Sequence, residues 1–188
     1  MKWRTPLARP YYDGVIHDHS SFPPFVPEQP HLGSFGAVRK HDIHTGVDLY
    51  CRENDRVLAM EPGVIVDIVD FTGSKVLDKE GKPMDWWNDT KAVLVKGASG
   101  VIVYGEIIPY MVQVGQKLAV GAALGTVTPV LPDDKLRPDI PHHSTSMLHI
   151  ELYTTEKAEK DFRWGAWNVG DPQPEGLLDP TSKLKEIF

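Results

Sequence analysis

Residues 92–104 read Ala-Val-Leu-Val-Lys-Gly-Ala-Ser-Gly-Val-Ile-Val-Tyr, and this stretch points to the fold class. Two short apolar runs, rich in the β-branched residues that favour strands, flank the loop 96–100. The loop contains two glycines, which give the backbone freedom that a tight turn between strands requires. The stretch therefore predicts a β-hairpin of two antiparallel strands.

Similar apolar runs lie on both sides of this hairpin. They occur at 57–60, 63–69, 122–127 and 148–153. The last run alternates, so that His149 and Glu151 share one strand face while the aliphatic side chains share the other. Short strands at close spacing, with few helical periods, predict an all-β fold, mainly antiparallel sheet or sandwich. We also expect a helical turn within 154–163 and a closing turn at 180–184.

The length and the local composition of the chain suggest one domain with an irregular extension. Its 188 residues favour a single domain. Residues 1–35 are rich in proline, glycine, aromatic residues and histidine, so we expect an extended segment that packs on the surface of the domain. We assign residues 36–188 to the single β domain.

Charge, cysteine content and hydropathy exclude several functional classes. A formal charge of −6 argues against a nucleic-acid partner, which would require a basic surface. Cys51 is the only cysteine, so any transition-metal site must use histidine and carboxylate ligands. No apolar run reaches the length of a membrane span or resembles a secretory signal. We expect no membrane partner and a cytoplasmic location as given, although export by another route or a trimmed chain would also fit. The oligomeric state stays open.

Two widely separated segments carry candidate metal ligands. In His44-Thr45-Gly46-Val47-Asp48, a neutral imidazole and a carboxylate lie four residues apart, and both are ordinary zinc donors. Gly46 can adopt backbone angles that are forbidden to other residues, and we expect a bend there that turns both ligands inward. About a hundred residues later, His149 lies in a strand-like run, where its imidazole is well placed as a third ligand.

The order of these motifs resembles the lysostaphin-type, or LytM-like, zinc metallopeptidase family. Members of that family typically show HxGxD, then Tyr-x-His, then a VGQxVxxGQxIG-like segment, and finally STGxHLHFE. The corresponding stretches here are 44–48 (HTGVD), 104–106 (YGE), 114–125 (VGQKLAVGAALG) and 144–151 (STSMLHIE). The resemblance covers roughly 36–153.

The resemblance implies a zinc site, a fold and a substrate class. The metal ligands of the family fall on His44, Asp48 and His149, which would leave a fourth position open to water. The implied fold is an antiparallel β-sheet with a duplicated hybrid motif and with loops that wall a groove above the zinc. The implied substrate is the peptide part of peptidoglycan, which is cleaved at an amide bond.

Two positions depart from the pattern of the family. Met147 replaces the first histidine of HxH, and Glu106 replaces the histidine of Tyr-x-His, so both usual catalytic histidines are missing. A glutamate near the metal is the general base of other zinc peptidases, which makes Glu106 the candidate base or a fourth ligand. His142 and His143 are candidates for stabilising the oxyanion.

Other candidate residues have two interpretations each. Arg39 would contact a carboxylate of the substrate or pair with a surface acid, and Glu151 would orient a metal ligand or lie exposed on its strand. The pair Trp86-Trp87 would form an aromatic wall of the site, although packing under a loop is the favoured interpretation. His17 and His19 form a His-x-His pair that is more typical of a solvated surface segment.

Three functions follow from these observations. The favoured one is a zinc-dependent metallopeptidase of lysostaphin type that cleaves peptidoglycan-like peptides, with Glu106 in place of a catalytic histidine. The alternative is a non-catalytic zinc-binding or regulatory module on the same fold. A third is amide hydrolysis in a substrate other than peptidoglycan. Retention of all three metal ligands favours an enzyme.

Overall fold

A computed structural model of the chain describes residues 2–8, 25–40, 42–78, 81–132, 145–155 and 167–187. These residues form twelve strands and one short helix. They are β1 Asp42–Ile43, β2 Val47–Tyr50, β3 Arg56–Leu58, β4 Gly63–Leu77, β5 Pro83–Met84, β6 Thr90–Gly97, β7 Gly100–Pro109, β8 Lys117–Leu118, β9 Ala123–Val127, β10 Met147–Tyr153, β11 Trp167–Asn168, β12 Leu177–Leu178 and α1 Thr181–Lys185.

All described strand pairs are antiparallel. The main sheet has ten strands, with β12-β10-β7-β6-β4-β5 as its principal order. Strand β2 also pairs with β10, β8 with β4, and β9 with both β7 and β3, while β1 and β11 form a separate two-stranded sheet. The prediction of an all-β, mainly antiparallel fold is therefore confirmed.

The hairpin of β6 and β7 is the centre of the sheet. Gly97 pairs with Gly100, which leaves Ala98 and Ser99 as the turn. Gly100 has φ of 126°, a conformation that favours glycine, and a Cβ atom there would collide with the Tyr153 carbonyl oxygen on β10. The glycines of the loop thus allow both the turn and the close approach of the neighbouring strand.

Each face of the sheet is covered by its own apolar cluster. Leu148, Ile150 and Leu152 of β10 belong to the larger core, as the alternating pattern predicts. Tyr153 packs instead in a smaller cluster on the opposite face, together with residues from β6 and β7. The polar residues His149 and Glu151 are buried as well. The alternation of β10 therefore places two ionisable side chains inside the protein, where they require partners.

Two strands differ in extent from their predicted runs. β4 continues to Leu77, eight residues past the predicted end. The prediction ended too early because the outer half of the strand is half-exposed and lacks a continuous apolar pattern. β2 begins directly after the predicted bend at Gly46 and was not itself predicted as a strand. At the other end of the chain, the predicted closing turn is the first turn of α1. The helical turn predicted within 154–163 lies mostly outside the described residues.

The N-terminal part of the chain is held against the sheet. Leu7 forms a β-bridge with Val57, and the Trp3 indole N–H donates to the Glu61 carboxylate at 3.2 Å. Residues 31–39 run beside β2, where the Gly33 carbonyl accepts a hydrogen bond from a strand N–H group. The division of the chain at residue 35 stays a prediction.

The described helix has five residues. Among the described residues, no helix has both the length and the apolar character that a membrane crossing requires.

Candidate metal centre

Two adjacent strands and the turn before them bring the three predicted ligands together. Asp48 on β2 and His149 on β10 are direct partners in the antiparallel register. Side chains that face each other across such a pair lie close together, so the carboxylate and the imidazole meet. His44 precedes β2 and reaches the same point. All three side chains are buried, with 3% to 4% exposure.

The donor atoms of these residues form a compact triangle. His44 Nε2 lies 3.1 Å from His149 Nδ1 and 3.1 Å from Asp48 Oδ1, and His149 Nδ1 lies 2.8 Å from Asp48 Oδ1. Ligand atoms around a tetrahedral zinc ion with bonds of about 2.0–2.1 Å are ~3.3 Å apart. The group therefore has the spacing and the donor types for a metal ion such as zinc.

Each of the three residues has an outer partner that leaves the inward atom as the donor. His44 Nδ1 lies 2.9 Å from the Ser34 carbonyl oxygen, which can only accept, so Nδ1 carries the proton and Nε2 the lone pair. His149 Nε2 lies 3.0 Å from the Glu151 carboxylate, which in the same way leaves Nδ1 as the donor atom. Such outer contacts fix the tautomer and the orientation of metal-binding histidines.

Arg39 completes this outer layer. Its guanidinium donates to Asp48 Oδ2 at 2.8 Å and to the Leu32 carbonyl oxygen at 3.0 Å. The contact occupies one oxygen of the carboxylate and leaves Oδ1 facing the histidines. Arg39 therefore pairs with Asp48, a buried metal-ligand candidate of its own chain. Glu151 holds the ring of His149, in agreement with the first of the two interpretations given for it.

The ionisable groups of the site shift one another's pKa values. Burial opposes ionisation of Asp48, but His44 and His149 outweigh it and hold the pKa of this carboxyl well below its usual range. Burial likewise opposes protonation of His149, but the hydrogen bonds that its ring donates to Asp48 and Glu151 raise its pKa to about 10. In the absence of a metal ion, the site thus holds a proton between its carboxylates. The arrangement suits a cation.

Gly46 is required for space at this point. A Cβ atom there would lie 2.6 Å from His149 Nε2 and would also collide with the Ile150 carbonyl oxygen. Its φ is not in the left-handed region. The chain does bend at Gly46, as predicted, but the bend uses no left-handed backbone angle. A glycine is required there because the His149 ring passes directly over it.

Glu106 lies on β7 at a break in the strand pairing. Lys91 pairs with Ile107 whereas Val93 pairs with Tyr104, so Gly105 and Glu106 form a β-bulge opposite one residue. Glu106 has φ of 64°, which is uncommon for a residue with a side chain. Strained conformations of this kind persist where the surroundings impose them, and they cluster at functional sites.

The Glu106 carboxyl is buried beside the metal-ligand candidates. It is 8% exposed, and its Oε2 atom has no hydrogen-bond partner among the residues that the structure describes. Burial, together with the negative charge of Asp48, raises its pKa to about 8, against the opposing effects of His149 and Arg39. A buried carboxyl with a free oxygen and a pKa near neutrality has the properties of a general acid or base.

Several other predicted residues have definite positions. Met147 begins β10 and pairs with Tyr50, two positions along the register from the ligand pair. Trp86 and Trp87 lie between β5 and β6 and are 54% and 36% exposed, so neither is packed fully into a core. The ring of Phe71 on β4 covers His149 at a centroid distance of 5.3 Å.

Four of the histidines considered as candidates from the sequence lie outside the described residues. They are His17, His19, His142 and His143. The roles of His142 and His143 at the oxyanion stay predictions.

Sequence reasoning missed the contribution of residues 31–39 to the site. Carbonyl groups of Leu32 and Ser34 hold Arg39 and His44, and the Gly33 carbonyl accepts from the Asp48 N–H at 2.8 Å. Backbone groups leave no trace in residue identity, so nothing in the sequence could have identified them. The Val-Asp-Leu-Tyr alternation of β2, by contrast, was a detectable strand signal.

Comparisons with known proteins add a likeness of fold. No family model and no curated protein matches the sequence. Among solved structures, the catalytic domain of lysostaphin from Staphylococcus simulans is 17% identical, with a TM-score of 0.48 over 81% of this chain and 89% of that one. A mutant catalytic domain of the prophage-encoded M23 protein EnpA from Enterococcus faecalis is 16% identical, with a TM-score of 0.46 over 90% and 96%.

A third structure is longer than this chain. It is described as an M23 peptidase from Pseudomonas aeruginosa, is 15% identical, and has a TM-score of 0.44 over 80% of this chain. The chain spans 44% of the length of that protein, which is less than half.

Proposed function

We propose that the chain is a zinc-dependent metallopeptidase that hydrolyses amide bonds in peptidoglycan-like peptides, with Glu106 as its general base. The observation that supports this most strongly is the pairing of two features in one buried place. Three donor atoms of the types that zinc prefers converge there, and an unpartnered carboxylate oxygen lies beside them. A buried carboxylate oxygen with no partner among the described residues is available to accept a proton.

His44 Nε2, Asp48 Oδ1 and His149 Nδ1 would hold the ion. When bound, zinc supplies a Lewis acid that polarises the scissile carbonyl and increases the acidity of water. The chain itself fixes the ligands: Glu151 holds the ring of His149, and Arg39 occupies the second oxygen of Asp48. Since each ligand is oriented before the ion arrives, little reorganisation is needed on binding.

Glu106 supplies the proton transfers. Its unpartnered Oε2 accepts a proton from the water that attacks the carbonyl carbon and then returns this proton to the leaving amine. In the metal-free chain, burial raises its pKa to about 8, and a zinc ion held beside it would favour the ionised form that accepts the proton. The strained backbone at Glu106 holds the side chain toward the site.

The test is metal content together with cleavage of peptides and muropeptides. We expect about one zinc ion per chain in the wild type and none in His149→Ala. Glu106→Gln should retain zinc and lose turnover by at least about 10²-fold, since it removes only the base. Glu53→Gln, which changes an exposed glutamate, is the matched control. Unchanged turnover in Glu106→Gln would remove Glu106 from the mechanism.

A specific observation supports the alternative of a non-catalytic zinc-binding or regulatory module. Met147 has a thioether side chain, which can neither transfer a proton nor carry a charge, at the position where the resemblance implies a histidine. This function predicts one zinc ion per chain, no cleavage of any peptide or muropeptide, and recovery of a cell-wall amidase in a pull-down.

A further inference from the structure

Tyr50 lies on the same face of β2 as the metal-ligand candidate Asp48. The side chains of Val47 and Leu49 belong to the core on the opposite face. Tyr50 pairs with Met147, two positions along the register from the pair of Asp48 and His149. Because side chains two residues apart share a strand face, Tyr50 is the next side chain after Asp48 on the face of the proposed zinc ligands.

The phenol ring packs closely beside Asp48. A Cβ atom placed on Gly33 would lie 3.0 Å from Tyr50 Cε2, 3.1 Å from its hydroxyl oxygen and 3.2 Å from Asp48 Cβ. Gly33 therefore lies over both side chains at once. On its other side the ring meets His31 edge to face, with ring centroids 5.6 Å apart. These contacts give the ring a fixed position.

The hydroxyl group, in contrast, has no structural role. Within the described part of the chain, no protein group forms a hydrogen bond with it, and it is not one of the buried unpartnered oxygen atoms. The buried Tyr104 behaves differently, because its hydroxyl accepts a hydrogen bond from the Met60 N–H at 2.9 Å. The Tyr50 side chain is half-buried, so its hydroxyl is accessible to a ligand at the site.

Tyr50 and Glu106 lie on the two strands that flank the strand of His149. Strand β10, which carries His149, is hydrogen-bonded to β2 on one side and to β7 on the other. Two strands that flank a third are about 10 Å apart. A proton acceptor on β7 and a hydrogen-bond donor on β2 thus lie on either side of His149, at a separation that a short peptide segment spans.

We propose that the Tyr50 hydroxyl donates a hydrogen bond to the carbonyl oxygen of the scissile amide. This inference rests on the proposed function. As the C–O bond to water forms, the proton of the water goes to Glu106, and it passes to the amine nitrogen as the C–N bond breaks. Negative charge develops on the carbonyl oxygen meanwhile, and the hydrogen bond to Tyr50 strengthens with it. Tyr50 keeps its proton throughout.

Tyr50→Phe removes only the hydroxyl and keeps the ring with its contacts. Turnover of a peptide substrate is measured beside the binding of two ligands, the substrate amide and a phosphinate peptide whose oxygens imitate the tetrahedral intermediate. Loss of one oxyanion donor typically reduces kcat by about 10²–10³-fold. We expect a loss of kcat in this range, phosphinate binding weakened by about 100-fold, amide binding changed by less than about threefold, and an unchanged zinc content. Tyr110→Phe, which alters a tyrosine with 70% exposure, should change none of these values.

Several outcomes would overturn the role of Tyr50. An unchanged kcat and phosphinate affinity would do so, as would an equal loss of affinity for amide and phosphinate or a simultaneous loss of zinc. Failure of the proposed function has a different signature: no cleavage by the wild type and no effect of Glu106→Gln. A wild-type protein that binds no phosphinate would overturn both.

Discussion

Replacing Glu106 by glutamine should increase the stability of the metal-free protein at alkaline pH while it removes activity. The native structure buries this carboxyl beside Asp48 and raises its pKa from 4.5 to about 8. Between these two values the folded chain retains a proton that the unfolded chain has released. The native stability from this group is therefore complete below pH 4.5 and is lost as the pH rises through 8. Glutamine does not ionise, so the variant lacks this loss.

The size of the effect follows from the shift in pKa. A rise from 4.5 to about 8 corresponds to an upper limit of roughly 5 kcal/mol, at about 1.4 kcal/mol per pH unit. Relaxation around the ionised group reduces this limit, and we expect the variant to gain about 2–5 kcal/mol relative to wild type between pH 4.5 and pH 9. The amide hydrogens of glutamine add a cost that does not depend on pH, so it cancels in this comparison.

The assay is urea unfolding in the presence of a chelator at several pH values from 4.5 to 9, for wild type, Glu106→Gln and the control Glu53→Gln. Zinc should diminish the difference, because a nearby cation favours the ionised carboxylate. A constant difference in free energy of unfolding across this range would refute the reasoning. A difference that grows in the opposite direction would refute it as well, since the folded state would then favour the charged form.

Three further predictions concern the metal centre. Zinc at 100 times its dissociation constant should stabilise the wild type by about 2.7 kcal/mol and raise Tm by roughly 5–10 °C, and a thermal shift of similar size in His149→Ala would contradict the ligand assignment. Arg39→Met should weaken zinc binding by about 10–100-fold in a competition titration, because Asp48 loses its outer partner; an unchanged affinity would make the contact incidental. Gly46→Ala should destabilise the fold by about 1–3 kcal/mol in urea unfolding and reduce zinc content, since the added methyl group collides with the His149 ring. Normal zinc content in that variant would contradict the prediction, because β2 and β10 would then accommodate the methyl group without displacing His149.

The regular part of the sheet could be predicted because its residues carry the pattern. Two apolar runs and a glycine-containing loop predict the hairpin of β6 and β7, and the strict alternation of apolar and polar residues predicts β10. The outer half of β4 could not be predicted, because its side chains are half-exposed and pair with neighbours without a repeating apolar pattern. Strand β2 was overlooked because the motif around Gly46 was interpreted as a bend.

The site was predictable to the extent that side-chain chemistry defines it. His44, Asp48 and His149 were identified from donor type and from the resemblance, and they converge in the structure. The groups that hold these ligands from outside could not be identified from the sequence. They are backbone carbonyls and an arginine whose partner depends on the register of two strands. The bulge that turns Glu106 inward is equally invisible in the sequence, because it results from how β6 and β7 pair.

The most direct test of the proposed metal centre is an anomalous difference map at the zinc absorption edge, from crystals grown with one equivalent of zinc. We predict a single strong peak bounded by His44 Nε2, Asp48 Oδ1 and His149 Nδ1. We also predict a carboxylate oxygen of Glu106 close to the remaining open side of the ion. The absence of a peak at these three atoms, or a peak held by other residues, would contradict the metal centre and the function proposed for it.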